Sequence, residues 1–372
     1  RALEAFGADG LCVATYDEAV ELRAAGVRLP ILVLFPIPPA RGADAAARRI
    51  SVSIGDSTQL ERLVAAVEGS AQSSEPGSAG ARGLDVHVEV ETGLGRDGFT
   101  VEGIAAAARK ISEVPKLHLA GLWTHMQDAA DPARTAAQLD RFEAAAAAIR
   151  DAGIALPGRH AAASAGLLAG TVMAFDAVRP GLATYGLVPD ELLGDGSQAA
   201  EAVPSGALPS GALPSGALPS LRPVMSLHAR AIRVADLPSG WGISYGPTFE
   251  TARASRIATL PLGYGDGWPR ALSNRGDALV RGVRAPLVGN VAMDALMVDV
   301  TDVPGDPVSL DDEFVLLGRQ GADEITAASL AATRGTISWE VVAAMSRRLP
   351  RVYHAASGPL EVRTLTAGGA SS

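Results

Sequence analysis

A handful of side chains in this 372-residue chain have the types and settings that chemistry uses. His125 stands in THMQDA, Ser164 in HAAASAG and Arg179 in RPG, each at the end of a short apolar run. Glu89 and Glu91 lie inside VHVEVET, just before the glycine turn GLGRDGF that carries Arg96. GISYGPTFE presents Tyr245 between a serine and a glycine, and LPLGYGDGWPR packs Tyr264, Asp266 and Trp268 into one turn. Each has a plainer reading. A lone histidine at a strand end can be structural, Tyr245 alone reads as a buried structural tyrosine, and Tyr264 alone as part of a surface turn. VGNVAMDALMVDV is apolar enough to be a core strand, which makes Met293 and Asp294 uninformative on pattern. Gly93, Gly95 and Gly98 satisfy G-x-G-x-x-G, but a dinucleotide-binding strand is a continuous apolar run and this one carries glutamates. A glycine-rich strand-to-helix turn is the better reading there.

The elements that must position these residues fall into two textures. Through about residue 187, short apolar strands (11–14, 31–35, 52–54, 86–90, 119–124, 160–164, 177–181) alternate with helical runs (16–26, 57–69, 138–153). That alternation predicts a parallel sheet with right-handed crossovers. Polar residues at the strand ends suit the carboxyl-end mouth of a (β/α)8 barrel. Seven strands are readable rather than eight. The chain begins at Arg1 in what reads as the middle of a helix, so a missing first unit of roughly 30 residues is expected. From residue 222 short alternating strands with Gly and Pro turns predict a mostly β second domain, interrupted by one helix around 337–349. Between them VPSGALPSGALPSGALPS at 203–220 is too short in period to build a packed core and reads as a flexible insertion. The expected domains are 1–187, a linker at 188–221, 222–366, and a disordered tail at 367–372. SAQSSEPGSAGARG at 70–83 reads as a loop inside the first domain.

Composition narrows the function further. The chain is 48% hydrophobic and 20% charged, so it can bury a large core. A net charge of −9 argues against nucleic-acid binding, which needs a clustered basic face. The single cysteine, Cys12, excludes a disulfide framework and a cysteine zinc site, and no metal site is expected. No apolar run reaches the ~18 residues of a membrane helix.

Taken together and in order, TGLGRDGF, THMQDAAD, HAAASAG, RPGLATYG, ISYGPTF, GYGDGWPR and VGNVAMDALMVDVTD resemble the motifs of the alanine racemase family. The resemblance covers the chain from residue 1 to about residue 365, apart from the repeat. It implies a barrel-plus-β-domain fold, pyridoxal 5′-phosphate as cofactor, and interconversion of L- and D-alanine by proton transfer between two groups at Cα. It also implies a cytoplasmic enzyme supplying D-alanine for peptidoglycan, and a head-to-tail homodimer with shared sites. Tyr245 matches the catalytic tyrosine, whose pKa of ~10 positive neighbours must lower; His125 and Arg96 match that network. Arg179 matches the arginine facing the pyridine nitrogen. Ser164, Gly181 and Leu182 match the phosphate cradle, and Tyr264, Met293 and Asp294 the substrate access and carboxylate pocket.

The departures carry their own expectations. The family's cofactor-bonded lysine belongs to the first strand, and neither Lys110 nor Lys116 occupies its motif, so the chain as printed is expected to be inactive. Glu89 stands where many members carry a carbamylated lysine, and is expected to give a fixed negative charge beside Arg96. Ala163 stands where asparagine is common, and Asn290 where arginine is common. Decarboxylases of this fold use a second-domain cysteine, whereas Cys12 lies in the barrel. The alternatives are racemisation of another small amino acid such as serine, or a non-catalytic protein of the same fold.

Overall fold

A computed structural model describes residues 2–69, 83–169, 173–193, 220–355 and 358–366. It divides into two units. The first runs through Ala183 and resumes at Glu191; the second takes Thr184–Asp190 and the chain from Leu221.

The first unit is a nearly closed parallel barrel. Its seven strands are β1 (Leu11–Val13), β2 (Ile31–Val33), β3 (Ile50–Ile54), β4 (Leu84–Glu89), β5 (Leu117–Trp123), β6 (Gly158–Ala163) and β7 (Ala177–Arg179). They are hydrogen-bonded in sequence order, every pair parallel. Helices α1 (Ala2–Ala5), α2 (Tyr16–Ala24), α3 (Gly42–Ala47), α4 (Ser57–Gly69), α5 (Ile104–Glu113), α6 (Pro132–Asp151) and α7 (Ser164–Ala169) punctuate them. The strands form because both of their faces are covered. Ile31, Val33, Ile50, Val52, Val86, Val88 and Leu122 are buried with helix residues such as Leu63, Ile104, Ile111, Phe142 and Ile149. Caps define the helix starts: Thr15 and Glu18 form a capping box on α2, and the Asp131 carboxylate accepts from Ala133 and Arg134 ahead of Pro132 on α6.

The second unit is mostly antiparallel β. It contains β8 (Leu227–Arg230), β9 (Arg233–Leu237), β10 (Ser255–Leu260), β11 (Asp277–Val280), β12 (Val283–Pro286), β13 (Leu296–Asp299), β14 (Glu313–Gln320), β15 (Asp323–Ile325), β16 (Arg351–Ala355) and β17 (Gly358–Arg363). One sheet runs β12-β11-β14-β15 with β8 also on β14; another runs β13-β10-β9; β16 and β17 form a hairpin.

Several boundaries differ from expectation. Two helices, α8 (Ala327–Arg334) and α9 (Ser338–Ala343), replace the single helix expected at 337–349. Gly335, at φ 71°, ends the first. The second stops early because Ser346 N–H donates to the carbonyl of Asp266, a tertiary bond that a continued helix would forbid. The start of the expected linker is also built in: both carboxylate oxygens of Asp190 accept from Ser338, from its N–H and its hydroxyl, each at 2.6 Å. Residues 194–219 of that linker, most of the 70–83 loop and the 367–372 tail lie outside the described residues.

One glycine is dictated by what faces it. A Cβ built on Gly121 of β5 would stand 2.0 Å from Nδ1 of His87 on β4. Overpacking a fixed core position of this kind costs about 1–3 kcal/mol. Gly121→Ala is expected to lower the thermal midpoint by about 2–10 °C in calorimetry; an unchanged midpoint would show that His87 can swing clear.

Candidate active site

Four consecutive strand ends of the barrel deliver polar groups to one place. β4 ends in Glu89, β5 leads into Thr124 and His125, β6 into Ser164, and β7 ends in Arg179. Arg179 is the centre. Its Nη2 donates to the carbonyls of Thr124 (2.8 Å) and Ala161 (3.1 Å) and lies 3.5 Å from Nδ1 of His125. Its Nη1 donates to Nδ1 of His160 at 2.6 Å, and the guanidinium carbon stands 4.9 Å from the Trp123 ring centroid.

Among the described residues, no carboxylate pairs directly with it. A guanidinium can only donate, so Nδ1 of His160 must accept and the imidazole proton sits on Nε2. That Nε2 lies 2.9 Å from Nδ1 of His87, which must accept in turn. The Trp123 ring stacks at 9° on His160 and is itself pinned by donation to the Ser53 hydroxyl at 2.8 Å. Burial, with Arg179 next in weight, pushes His160 down to about 2. Burial also takes His87 down to about 4 and Arg179 from 12.5 to about 10. At neutral pH the chain is therefore imidazole, imidazole, guanidinium, and the positive charge stays on the arginine.

His125 does not supply the positive charge that the sequence reading assigned to it. Burial first, then Arg179 and Arg96, bring it down to about 4, so it is neutral near pH 7. Arg96 and Arg179 are the cations of this mouth.

Arg96 is carried by a turn that satisfies itself. Glu91 accepts from Gly93 N–H and, at 2.8 Å, from Gly95 N–H; Gly98 N–H donates to Asp97 at 2.9 Å. Those amides are occupied by the chain's own carboxylates, which removes the dinucleotide-phosphate reading of this motif. Gly98 must be glycine: its φ is 126° and a Cβ would stand 2.4 Å from the nitrogen of Glu91. Arg96 Nη2 donates to Glu89 Oε1 at 3.1 Å. Glu89 is 4% exposed, and burial pushes its carboxyl up to about 7 despite Arg96. Its charge is thus not fixed, as the sequence suggested, but titrates near neutrality.

Beneath both turns lies a buried polar cluster. The Gln138 amide donates to the Thr92 hydroxyl at 2.9 Å and the His125 carbonyl at 3.2 Å, and accepts from Gln127 N–H. The hydroxyls of Thr92 and Thr124 are 2.7 Å apart. At the next strand end, Ser164 Oγ accepts from Gly181 N–H (2.9 Å) and Ala183 N–H (3.1 Å), while Leu182 is buried between them. The serine oxygen accepts twice and keeps its own O–H to donate, and a Cβ added at Gly181 would meet nothing within 4 Å, so open space adjoins this hydroxyl. A hydroxyl donor beside open space fits an anionic group such as a phosphate.

The second unit assembles its own set. Tyr245 is 79% exposed, which removes the buried structural reading. It follows Ser244, a non-glycine residue at φ 70°. Asn290 secures this turn: its side-chain amide donates to the carbonyls of Tyr245 (2.9 Å) and Gly246 (3.1 Å), while its own carbonyl accepts from Ser244 Oγ at 2.6 Å. Tyr264 and Met293 are tied by Tyr264 N–H to Ala292 O (3.0 Å) and Gly265 N–H to Met293 O (2.9 Å). Arg348 pairs with Asp294 at 2.6 Å and with buried Asp266 at 3.1 Å. The GYGDGW turn is therefore core-anchored, by Asp266 and Trp268, rather than a surface loop.

His160, His87, Gln138, Arg348 and the role of Asn290 were missed in the sequence. The available signal was a titratable residue inside an otherwise apolar strand, at His87 and His160. Lys110 lies on α5 and Lys116 just before β5, where its ammonium donates to the Val67 carbonyl; neither is at a strand's carboxyl end.

Comparison with known proteins follows this geometry. Residues 1–189 match the family described as alanine racemase, N-terminal domain, and residues 224–353 match alanine racemase, C-terminal domain. An alanine racemase of Symbiobacterium thermophilum is 40% identical over 354 residues, covering 95% of this chain and 85% of its own length. The crystal structure of alanine racemase from Bacillus anthracis with bound L-Ala-P has a TM-score of 0.83 at 31% identity, covering 98% of this chain and 85% of its own. A histidine racemase from Leuconostoc mesenteroides has a TM-score of 0.75 at 26% identity, covering 95% and 86%. Among the described residues, no helix is long and apolar enough to cross a membrane.

Two outcomes follow. Glu89 in the folded chain holds a proton that the unfolded chain, at its ordinary 4.5, has released, so it favours folding below that value and this contribution fades as pH rises through about 7. The stability of the wild type relative to Glu89→Gln should therefore fall between about pH 5 and 7 and level off above about 8 in parallel denaturations. A difference independent of pH would place the Glu89 pKa elsewhere. Separately, Asn290→Ala removes both bonds to the Tyr245 turn. It should raise amide hydrogen exchange in residues 244–246 while leaving exchange in β10 unchanged.

Proposed function

The chain belongs to the alanine racemase family, and on that premise we propose that, joined to a segment bearing the family's cofactor-bonded lysine, it interconverts L- and D-alanine with pyridoxal 5′-phosphate, Tyr245 and that lysine moving the proton off one face of Cα and onto the other. The observation that carries this reading is the buried Arg179, donating to a neutral imidazole rather than to a carboxylate, with the Ser164 hydroxyl and the open space beside Gly181 at the neighbouring strand end. When bound, the cofactor supplies an electron-withdrawing ring that weakens the Cα–H bond.

The protein's own residues do the rest. Ser164 would hold the phosphate through its O–H, with the backbone at Gly181 and Leu182 lining the place. Arg179 would face the ring nitrogen and keep its own proton, because a guanidinium releases one only far above neutrality. The neutral His160 supports that role, since a carboxylate there would offset the charge. A ring nitrogen facing a guanidinium that keeps its proton would make the cofactor a weaker electron sink, a setting that would favour prompt return of the proton to Cα over side reactions. Arg96 binds the substrate carboxylate and Glu89 orients Arg96. Tyr245 is the acid/base on one face of Cα, and Tyr264, Met293 and Asp294 line the approach and the carboxylate pocket. His125, neutral, serves as an acceptor beside Arg179 near the cofactor.

We further infer that Tyr245, so largely exposed, is presented to the barrel mouth of a second copy of this chain in a head-to-tail homodimer. A cytoplasmic setting with D-alanine passed to peptidoglycan synthesis accords with the family.

The direct test is chiral analysis of alanine incubated in D2O with cofactor-loaded protein that carries the lysine-bearing segment. Starting from either enantiomer, the mixture should approach equal amounts, since mirror-image products have equal free energies, with deuterium at Cα of the antipode. Formation of any product other than alanine, or antipode without deuterium, would contradict the reading. Glu89→Gln should raise KM for alanine by about 5–30-fold with little change in kcat, the loss of one charge-assisted hydrogen bond. An unchanged KM would mean that Arg96 needs no anionic partner.

A further inference from the structure

Arg96 has two supports of different kinds. One is the Glu89 carboxylate at 3.1 Å. The other is Phe35, in the ILVLF segment just beyond β2, whose ring centroid lies 5.3 Å from the guanidinium carbon. That is inside the ~6 Å range over which a cation is attracted to an aromatic face. Phe35 is 45% exposed and is not packed into the barrel core, so its ring does little for the fold. The backbone under Arg96 is already fixed by the bonds of Glu91 and Asp97 to the turn amides. What remains to be fixed is a long side chain with several rotatable bonds, and among the described residues Glu89 and Phe35 hold its charged end.

We propose that Phe35 is a positioning residue for Arg96: its ring face holds the guanidinium in place, and thereby sets how tightly a substrate carboxylate is bound. This rests on the reading of Arg96 as the carboxylate-binding group. The two supports respond differently to acid. Glu89 loses its charge as pH falls through about 7, whereas the ring does not titrate. The other charged or titratable groups around this pair are Asp97, Arg179 and His125; His125 is neutral here and Arg179 stays charged. The ring should therefore keep Arg96 usable on the acid side of neutrality.

The test is calorimetric titration of the cofactor-loaded full chain with propionate, a carboxylate lacking the amino group. Wild type, Phe35→Leu, Phe35→Trp and Arg96→Leu are compared from pH 6 to 8.5. Phe35→Leu keeps an apolar side chain but removes the π face. It should weaken propionate about two- to five-fold at pH 8, with a larger loss at pH 6, and, in protein joined to the lysine-bearing segment, raise KM for L-alanine by a similar factor while kcat holds. Phe35→Trp should restore both values. Wild-type affinity in Phe35→Leu, or equal losses in the leucine and tryptophan variants, would overturn the inference while leaving the Arg96 reading intact. Wild-type affinity in Arg96→Leu would overturn both.

Discussion

The barrel half of this protein depends on one buried positive charge without a counter-charge in contact. Arg179 is held by two carbonyls, a tryptophan face and a neutral imidazole. Bringing a guanidinium into such a place is unfavourable unless every donor finds an acceptor. The surrounding strand ends supply those acceptors: β5 gives the Thr124 carbonyl, β6 gives the Ala161 carbonyl and His160, and β4 gives His87 behind His160. A carboxylate would have been the easier partner for stability. Its place is taken by an imidazole whose only open acceptor faces the arginine, so the charge remains directed at whatever binds in the mouth.

That choice propagates outward. His87 needs room, which is why Gly121 on the neighbouring strand lacks a side chain. Trp123 must lie flat on His160, and its indole N–H is satisfied by Ser53 on a third strand. The second cation, Arg96, sits on a glycine turn whose amides are occupied by Glu91 and Asp97, so that turn positions an arginine rather than an anion. Glu89 sits buried with a raised pKa, a state that opposes its ionisation while its use beside Arg96 requires it. The site thus trades some stability near neutral pH for an oriented guanidinium.

Much of this was legible in the sequence and some was not. All seven barrel strands stood out because parallel strands covered on both faces read as short apolar runs bounded by turns. The exception, Glu89 in VHVEV, was the most informative residue of all, since an acid in a buried strand requires a partner. His125, Ser164 and Arg179 were legible as polar residues at strand ends. His87 and His160 were not, because one histidine between valines in DVHVEV and one beside alanines in HAAAS set up no period of their own. Phe35 looked like the end of an apolar strand, and Asn290 like a turn residue; only three-dimensional contact shows the ring over Arg96 and the amide under Tyr245. The helix expected at 337–349 failed for a similar reason. Local periodicity favoured it, and a tertiary bond from Ser346 to Asp266 overrode it.

The account stands or falls on the protonation state of the imidazole behind Arg179. Nitrogen-15 NMR of the histidine side chains, followed from pH 5 to 8 with His160→Gln used for assignment, reads it directly. The expected result is a His160 ring that stays neutral throughout, with its single proton on Nε2 and Nδ1 showing the shift of an acceptor. A His160 that gains a second proton above pH 6, or that carries its proton on Nδ1, would mean that Arg179 is not held as described here. The charge directed into the mouth would then need another origin.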